Sequence, residues 1–235
     1  MTRASFPQSQ GAAVDLLLAR HGQTAWNQLR RCQGFSDIEL DEVGCSQARA
    51  LARSLARERL RAVYASTLQR SWRTAEIIAA PHDLEVVRLE ALRELNHGAF
   101  EGLRPDEIRA SHGDFLERWF QNPAGMRLPR GESLEEVQER AWEALLGVIR
   151  QYSEGKVVVV GHQMLNLAVL CKALGIPIAS YRRLAQEPSA VNILRFQGDF
   201  ISVVRLNDTC HLRNHGAPEG GEQRPREGGA PATSR

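Results

Sequence analysis

The sequence predicts an α/β fold, a three-layer α/β/α sandwich around a mostly parallel central sheet with an antiparallel edge strand. Short apolar runs of strand length alternate with longer segments whose apolar residues recur at helical spacing. Several of these runs stop abruptly at cationic or imidazole side chains, as strands do where they leave a sheet. Near the C-terminus, Gln197-Gly198-Asp199 separates two runs and predicts a hairpin, which accounts for the antiparallel edge.

Six strands are expected, at residues 14–19, 62–65, 84–88, 156–160, 192–196 and 201–206. Four helices are expected at residues 42–59, 68–80, 133–152 and 166–174, and the short segment 102–131 favours two further short helices. Ser133 and Glu136 form a capping-box pattern at the start of the third helix. Gly175 and Pro177 follow the fourth helix and end it.

Length and composition indicate one globular domain, which we place at residues 14–213. The segment 1–13 lacks the apolar core of a secretory signal and is expected to be a flexible N-terminal extension. The tail 214–235 is rich in Gly, Pro, Glu and Arg and is expected to be disordered. No apolar run reaches transmembrane length, so no membrane association is expected.

The net charge and the spacing of the cysteines argue against a nucleic-acid surface and a cysteine metal site. The formal net charge is only +2 and basic residues are interspersed with acidic ones, which argues against a nucleic-acid surface. The four cysteines show no paired metal-ligand spacing and suit reduced thiols in a cytoplasmic protein. A homodimer is the default expectation for the assembly, because dimers are the commonest soluble oligomers.

Four strand ends or loops carry side chains suited to phosphate chemistry. Arg20-His21-Gly22 follows the first apolar run, and Gly161-His162 follows the β-branched run 157–160. Arg70 lies in the first turn of a predicted helix, near its electropositive end. Glu94 lies in a glycine-punctuated loop. Any one of these could be an ordinary turn with exposed polar residues, and Glu101 and Arg73 are rivals of Glu94 and Arg70.

Together these motifs resemble those of the histidine phosphatase superfamily, which includes the cofactor-dependent phosphoglycerate mutases. The resemblance runs from about residue 14 to residue 212, with the motifs in family order. It implies the phosphoglycerate mutase-like fold and a two-step reaction that needs neither metal nor cofactor. His21 would be the nucleophile that forms a phosphohistidine, and Glu94 the general acid. Arg20, Arg70 and His162 would surround the phosphoryl group.

Within the superfamily, two departures favour the phosphatase branch over the mutases. The segment 102–131 is short, and Gln163-Met164-Leu165-Asn166 replaces the Gly-Asn-Ser type of sequence that mutases favour. The expected partner is thus a small phosphorylated metabolite. A cofactor-dependent phosphoglycerate mutase remains the first alternative, and a catalytically weak protein that binds a phosphorylated ligand the second.

A finer match is to the metal-independent phosphoserine phosphatases of bacteria, although related sugar phosphatases share the same ending. In that subgroup, histidines at the positions of His97 and His211 help to bind the amino-acid substrate. The substrate-binding candidates are Asn27, Gln33, Gly34, His97, Gln163 and His211.

Overall fold

The computed structural model describes residues 12–213 of the chain. The strands are Val14–Arg20 (β1), Leu60–Ser66 (β2), Val86–Leu89 (β3), Gly155–Gly161 (β4), Val191–Gln197 (β5) and Phe200–Asp208 (β6). The α-helices are Ala25–Gln28 (α1), Glu42–Leu55 (α2), Gln69–Ala79 (α3), Pro105–Gln121 (α4), Leu134–Ile149 (α5) and Gln163–Ala173 (α6). The expected N-terminal segment, apart from Ala12 and Ala13, and the expected tail 214–235 lie outside the described residues.

The strands form one sheet in the order β3-β2-β4-β1-β5-β6. The first four strands in this order are parallel to one another, whereas β5 runs antiparallel to both β1 and β6. The predicted mostly parallel sheet with an antiparallel edge is therefore confirmed. Among the described strands only β5 runs against the others, because it pairs directly with β1 and then returns as the edge strand β6 through a tight turn at Gly198, whose φ is 58°.

Alternation of side chains along the central strands divides the apolar residues between two cores. In β1, Leu16 and Leu18 pack into the core that includes residues of α5 and α6, while Leu17 and Ala19 face the core that includes residues of α2 and α3. The valines of β4 alternate in the same way. A strand with apolar side chains on both faces must be covered by helices on both sides, and this requirement produces the three layers.

Two helices, α2 and α4, differ from the expected boundaries. Helix α2 ends at Leu55 rather than at residue 59, and near its end Ser54 Oγ donates to the carbonyl of Leu51 at 2.7 Å. The two helices expected in segment 102–131 appear as α4, interrupted at His112 by non-helical φ/ψ of −139° and 39°. Among residues 12–213, no helix combines the length and apolarity that a membrane crossing requires.

Two differences at helix starts bear on the functional site. Helix α1 was not predicted; it begins at a capping box in which Thr24 accepts from the Asn27 N–H and Asn27 accepts from the Thr24 N–H. Helix α6 begins at Gln163, directly after His162, rather than at residue 166. The residues just before Gln163 offer no capping side chain, and the cap comes instead from a residue distant in the chain.

Candidate active site

The parallel pairing of β1 with β4 brings two histidines together. Arg20 lies opposite Gly161 in this pairing, and the His21 N–H donates to the Gly161 carbonyl at 3.1 Å. The rings of His21 and His162 consequently stand with their centroids 5.2 Å apart and their planes tilted by 60°. Both side chains are buried. The carboxyl end of the sheet thus holds two imidazoles in contact, as the motif positions predicted.

The hydrogen bond of His21 fixes its tautomer. Its Nδ1 lies 2.7 Å from the carbonyl oxygen of Gly22, and a carbonyl can only accept. Nδ1 therefore carries the proton, and the lone pair of the neutral ring is on Nε2. Burial, followed by the charges of Arg70 and Arg20, holds the pKa of His21 well below its usual value. At neutral pH the ring is an uncharged nucleophile.

Glycine at position 22 is required by close backbone packing. A Cβ on Gly22 would lie 2.4 Å from the carbonyl oxygen of Gly44 in α2. The Gly22 N–H donates to Thr74 Oγ1 of α3 at 3.1 Å. The turn that follows the nucleophile is thereby held against two helices.

Two buried guanidinium groups flank His21. Arg20 donates to the carbonyl of Gln186 at 2.5 Å, and Arg70 donates to the carbonyls of Gly34 and Ser36, each at 2.8 Å. The Nε atoms of both arginines are buried and lack a hydrogen-bond partner among the described residues. Burial lowers the pKa of each to about 10, so both remain cationic at neutral pH.

Glu101, the rival acid, supports Arg70 from behind. Its Oε1 accepts from the Phe35 N–H at 2.8 Å, and its Oε2 accepts from the N–H and hydroxyl of Ser36 at 2.8 and 2.6 Å. These bonds hold the turn whose carbonyls bind Arg70. Both carboxylate oxygens of Glu101 are thus engaged in structure. Arg73, the rival of Arg70, is exposed and pairs with Glu76 on the same helix.

Glu94 provides the missing cap of α6. Its Oε1 accepts from the N–H groups of Leu95 and Leu165 at 2.8 and 3.0 Å, and its Oε2 accepts from the Met164 N–H at 3.1 Å. Met164 and Leu165 belong to the first turn of α6, where unpaired N–H groups and the helix dipole favour a carboxylate. The carboxyl group of Glu94 is therefore fixed beside His162, the residue that precedes the helix.

Most predicted site residues line one cavity of about 480 Å³ at this edge of the sheet. Those that line it are Arg20, His21, Asn27, Gln33, Gly34, Arg70, Glu94, His97 and Gln163. His162 lies beneath His21, fully buried, and neither of its ring nitrogens has a hydrogen-bond partner among the described residues. Burial, then the charge of Arg70, holds its pKa well below the usual value.

Hydrogen bonds within the protein limit what the lining amides can do. The Oδ1 of Asn27 already accepts from the Thr24 N–H at 3.0 Å, which leaves its Nδ2 to donate to a ligand. The Oε1 of Gln33 is buried and has no hydrogen-bond partner among residues 12–213. His97 is partly exposed, and burial lowers its pKa, so its ring faces the cavity uncharged at neutral pH.

Of the predicted site residues, His162 lies beneath the cavity rather than in its lining, and His211 lies away from the cavity altogether. It lies in the single turn Cys210–Leu212 and lines a separate cavity with residues of α2, β5 and β6. Because β6 is the edge strand of the sheet, the turn that follows it packs beside α2, on the core that Leu17 faces. The subgroup resemblance implies a place at the substrate for His211, and this packing does not support it.

Sequence reasoning missed three charged residues that line the cavity, Arg30, Arg31 and Glu187. None of them follows a strand directly, and all three come to the cavity through folded loops. It also missed a buried amide network in which Gln186 Oε1 accepts from Asn166 at 3.0 Å and from Asn192 at 2.9 Å. This network supports the segment whose Gln186 carbonyl binds Arg20.

Comparisons with known proteins agree with this geometry. The family model of the histidine phosphatase superfamily (branch 1) matches residues 16–209. This chain belongs to the histidine phosphatase superfamily. It is 32% identical to phosphoserine phosphatase 1 of Hydrogenobacter thermophilus over 199 residues, which cover 85% of this chain and 94% of that protein. The predicted family and the predicted class of phosphoric monoester hydrolase acting on small phosphoesters are confirmed.

Two further superfamily members show the range of similarity. The chain is 32% identical over 204 residues to the Yersinia pestis protein named "Probable phosphoglycerate mutase GpmB", which covers 85% of this chain and 95% of that protein. The structure of YhfR from Bacillus stearothermophilus superposes with a TM-score of 0.80 at 30% identity, covering 85% of this chain and 99% of that one. The predicted fold class is confirmed by this superposition.

The buried neutral histidines make the stability of this phosphatase depend on pH. In the unfolded chain the imidazoles of His21, His97 and His162 titrate near 6.5, whereas in the folded protein their pKa values are lower. Below pH 6.5 the unfolded state therefore binds more protons, and stability falls as pH falls. Each such group contributes a slope of up to about 1.4 kcal/mol per pH unit.

Urea unfolding measures this dependence at several pH values between about 7.5 and 5, a range that spans the titration of an imidazole in the unfolded chain. We expect His162→Asn to reduce the acid-side slope relative to the parent protein. His112→Asn, at a partly exposed ring, is the matched control and should keep the parent slope. An unchanged slope in His162→Asn would contradict the assignment of a buried neutral imidazole at this position.

Proposed function

We propose that this protein hydrolyses small phosphomonoesters whose leaving group carries a carboxylate, with L-phosphoserine as the first candidate, through a phosphoryl group carried on His21. The observation that carries the proposal is the state of His21. Its Nδ1 proton is engaged by Gly22, and its Nε2 lone pair belongs to a ring flanked by two buried guanidinium groups. Such a group attacks phosphorus without a prior proton transfer.

In the first step, His21 Nε2 forms a bond to phosphorus as the bond from phosphorus to the ester oxygen breaks. Glu94, protonated, gives its proton to the departing oxygen, and the free alcohol leaves. Its Oε1 already accepts two N–H bonds and its Oε2 only one, so Oε2 is the oxygen with room for the catalytic proton. Arg20 and Arg70 stabilise the charge on the phosphoryl oxygens.

In the second step, water attacks the phosphorus of the phosphohistidine while Glu94 takes a proton from that water. The bond between phosphorus and His21 Nε2 breaks, and inorganic phosphate leaves with the neutral ring restored. His162, in contact with the ring of His21, supplies an imidazole without another hydrogen-bond partner for a phosphoryl oxygen. The cycle uses only groups of this chain.

Arg30 supports a carboxylate on the leaving group. It lines the cavity, is exposed, and has no ion-pair partner among the described residues, whereas the neighbouring Arg31 is engaged by Gly102 and Glu107. Arg30 occupies a left-handed backbone conformation, with φ of 53°, directly after α1. Glycine would adopt this conformation at lower cost, so an arginine at this position carries some backbone strain.

The names of two relatives and a second charged residue of the cavity favour the same class of leaving group. Phosphoserine and phosphoglycerate, which appear in the names of the two relatives above, both carry a carboxylate. Glu187, exposed at the same cavity, suits the ammonium group that phosphoserine has and phosphoglycerate lacks. A zwitterionic amino-acid leaving group would thus match the pair of charges formed by Arg30 and Glu187.

The mutase alternative is favoured by one observation, the 32% identity to the Yersinia protein named as a phosphoglycerate mutase. A mutase would convert 3-phosphoglycerate to 2-phosphoglycerate after priming with 2,3-bisphosphoglycerate, faster than it releases phosphate. Primed isomerisation that outpaces phosphate release would therefore replace the hydrolase proposal. A protein that binds phosphate tightly but turns over none of these esters would support the binding-protein alternative.

Removal of the nucleophile tests the mechanism in general. We expect His21→Ala to lower kcat/KM for L-phosphoserine by at least about a thousandfold, because the substitution removes the proposed carrier of the phosphoryl group. Phosphate release by the parent protein should be the same with and without EDTA. His112→Ala is the control for the substitution itself. Activity that persists in His21→Ala, or that EDTA abolishes, would contradict the proposed chemistry.

Four esters test the leaving group: L-phosphoserine, 3-phosphoglycerate, phosphoethanolamine and glycerol 3-phosphate. The first two carry a carboxylate, and the first and third an ammonium. We expect Arg30→Gln to lower kcat/KM about fivefold for the two carboxylates only, the size of a partly exposed ion pair.

Glu187→Gln should instead affect the two ammonium esters. Arg49→Gln, an exposed arginine of α2, is the control and should change none of the four values. An equal fall for all four esters in Arg30→Gln would show a general effect on the cavity and contradict recognition of a carboxylate.

A further inference from the structure

The loop that carries Glu94 is held from behind by one arginine of α5. Arg140 Nη1 donates to the carbonyl oxygens of Ala91 and Arg93 at 2.8 and 2.7 Å, and its Nη2 donates to the carbonyl of Glu94 itself at 2.7 Å. The Ala91 carbonyl belongs to the 3₁₀ turn Glu90–Leu92, and the carbonyls of Arg93 and Glu94 belong to the irregular segment that follows, so no α-helix or strand holds them. The side chain of Arg140 supplies the hydrogen bonds that regular structure would otherwise supply.

Glu132 completes the attachment. Its carboxylate forms a two-point pair with Arg140, in which Nε donates to Oε1 and Nη2 donates to Oε2, both at 2.9 Å. The same Oε2 accepts from the Asn96 N–H at 2.8 Å, and the Glu132 N–H donates to the Asn96 carbonyl at 3.0 Å. The loop is therefore bound at four of its residues, on both sides of Glu94.

The donor count shows that Arg140 has no capacity left for a substrate. A guanidinium has five N–H donors, and Arg140 makes five hydrogen bonds, three to carbonyls and two to Glu132. Lysine, with three donors around one nitrogen, cannot reproduce this planar arrangement. The pair is also largely shielded, with side-chain exposures of 22% for Arg140 and 17% for Glu132.

The two ends of Glu94 are thus fixed by different partners. Its carboxyl group binds the first turn of α6, and its own carbonyl binds Arg140. A general acid must be held within a fraction of an ångström of the leaving oxygen, and a displacement of about 1 Å costs on the order of a hundredfold in rate. Neither Arg140 nor Glu132 lines the cavity, so neither contacts a ligand there, and the substitution Arg140→Lys keeps the positive charge that also acts on His162.

From these contacts we infer that Arg140 and Glu132 are a positioning pair for the general acid, needed for protonation of the leaving group and not for binding of the phosphoryl group. The inference rests on the proposed role of Glu94. It assigns to the two residues a catalytic consequence beyond that of an ordinary ion pair between a helix and a loop.

Leaving-group chemistry separates positioning from general stability. An alkoxide such as that of L-phosphoserine needs a proton to depart, whereas p-nitrophenolate departs without one. We expect Arg140→Lys to lower kcat/KM for L-phosphoserine by about thirtyfold or more and for p-nitrophenyl phosphate by less than about threefold. This parameter covers the steps up to departure of the leaving group, so slow dephosphorylation cannot mask the effect. The inhibition constant of inorganic phosphate should stay unchanged.

Controls and a second variant keep the test decisive. Arg195→Lys alters another two-point pair, with Asp15, whose residues do not line the active-site cavity, and should change neither ester. Glu132→Gln keeps the shape of the pair and should show the same leaving-group dependence in weaker form, which covers the case that Arg140→Lys fails to fold. Thermal unfolding confirms that each variant is folded at the assay temperature.

The variant Glu94→Gln, made alone and combined with Arg140→Lys, distinguishes failure of the proposed general acid from failure of the positioning inference. If Glu94→Gln itself affects both esters equally, the proposed general acid is wrong. If Glu94→Gln spares p-nitrophenyl phosphate but Arg140→Lys lowers both esters alike, the positioning inference alone is overturned. We expect Arg140→Lys to cause no further loss on L-phosphoserine in the Glu94→Gln background, because the acid that it positions is already absent.

Discussion

The pairing of β1 with β4 is the constraint on which the site depends. Parallel strands end at the same edge of a sheet, and the register that sets Arg20 opposite Gly161 makes the next residues of the two strands, His21 and His162, neighbours. A shift of this register by one residue would reverse the faces of Leu16 and Leu17 and bury the wrong side chains in both cores. The apolar alternation that builds the three layers therefore also fixes the distance between the two imidazoles.

Around the two imidazoles, two arginine side chains are buried without an ion-pair partner among the described residues. Arg20 and Arg70 are held mainly by carbonyl oxygens, and neither forms an ion pair within the described residues. Burying a charge with neutral partners is costly, which is why burial lowers both pKa values to about 10. A phosphoryl group that enters the cavity supplies the missing counter-charge. Burial, together with the charges of these two cations, holds the pKa of His21 well below its usual value and keeps the ring deprotonated.

Glu94, the proposed general acid, is held by a different kind of interaction. Helix α6 begins without a local cap, and the carboxyl group of Glu94 fills that position from a loop seventy residues earlier in the chain. The loop in turn depends on Arg140 and Glu132. The capping of α6 and the placement of the Glu94 carboxyl group are thus joined in a single set of hydrogen bonds.

The sequence predicted those parts of the site that depend on strand ends. Runs of β-branched and apolar residues marked where Arg20, His21 and His162 leave the sheet, and parallel pairing then brought them together. It could not predict contacts made by backbone carbonyls, since the bonds of Arg140 to three carbonyls leave no pattern in the side chains. The start of α6 was missed because its cap, Glu94, lies far away in the chain. His211 lies away from the cavity because resemblance in a terminal motif does not determine where the last turn packs.

The most direct test of the account is to trap the covalent intermediate. The protein would be mixed with labelled L-phosphoserine, quenched in alkali, where phosphohistidine survives, and mapped by mass spectrometry of its peptides. The account predicts one phosphoryl group, on the peptide that contains His21, and none in His21→Ala. A phosphoryl group on another residue, or none at any time in a protein that turns over the ester, would contradict it.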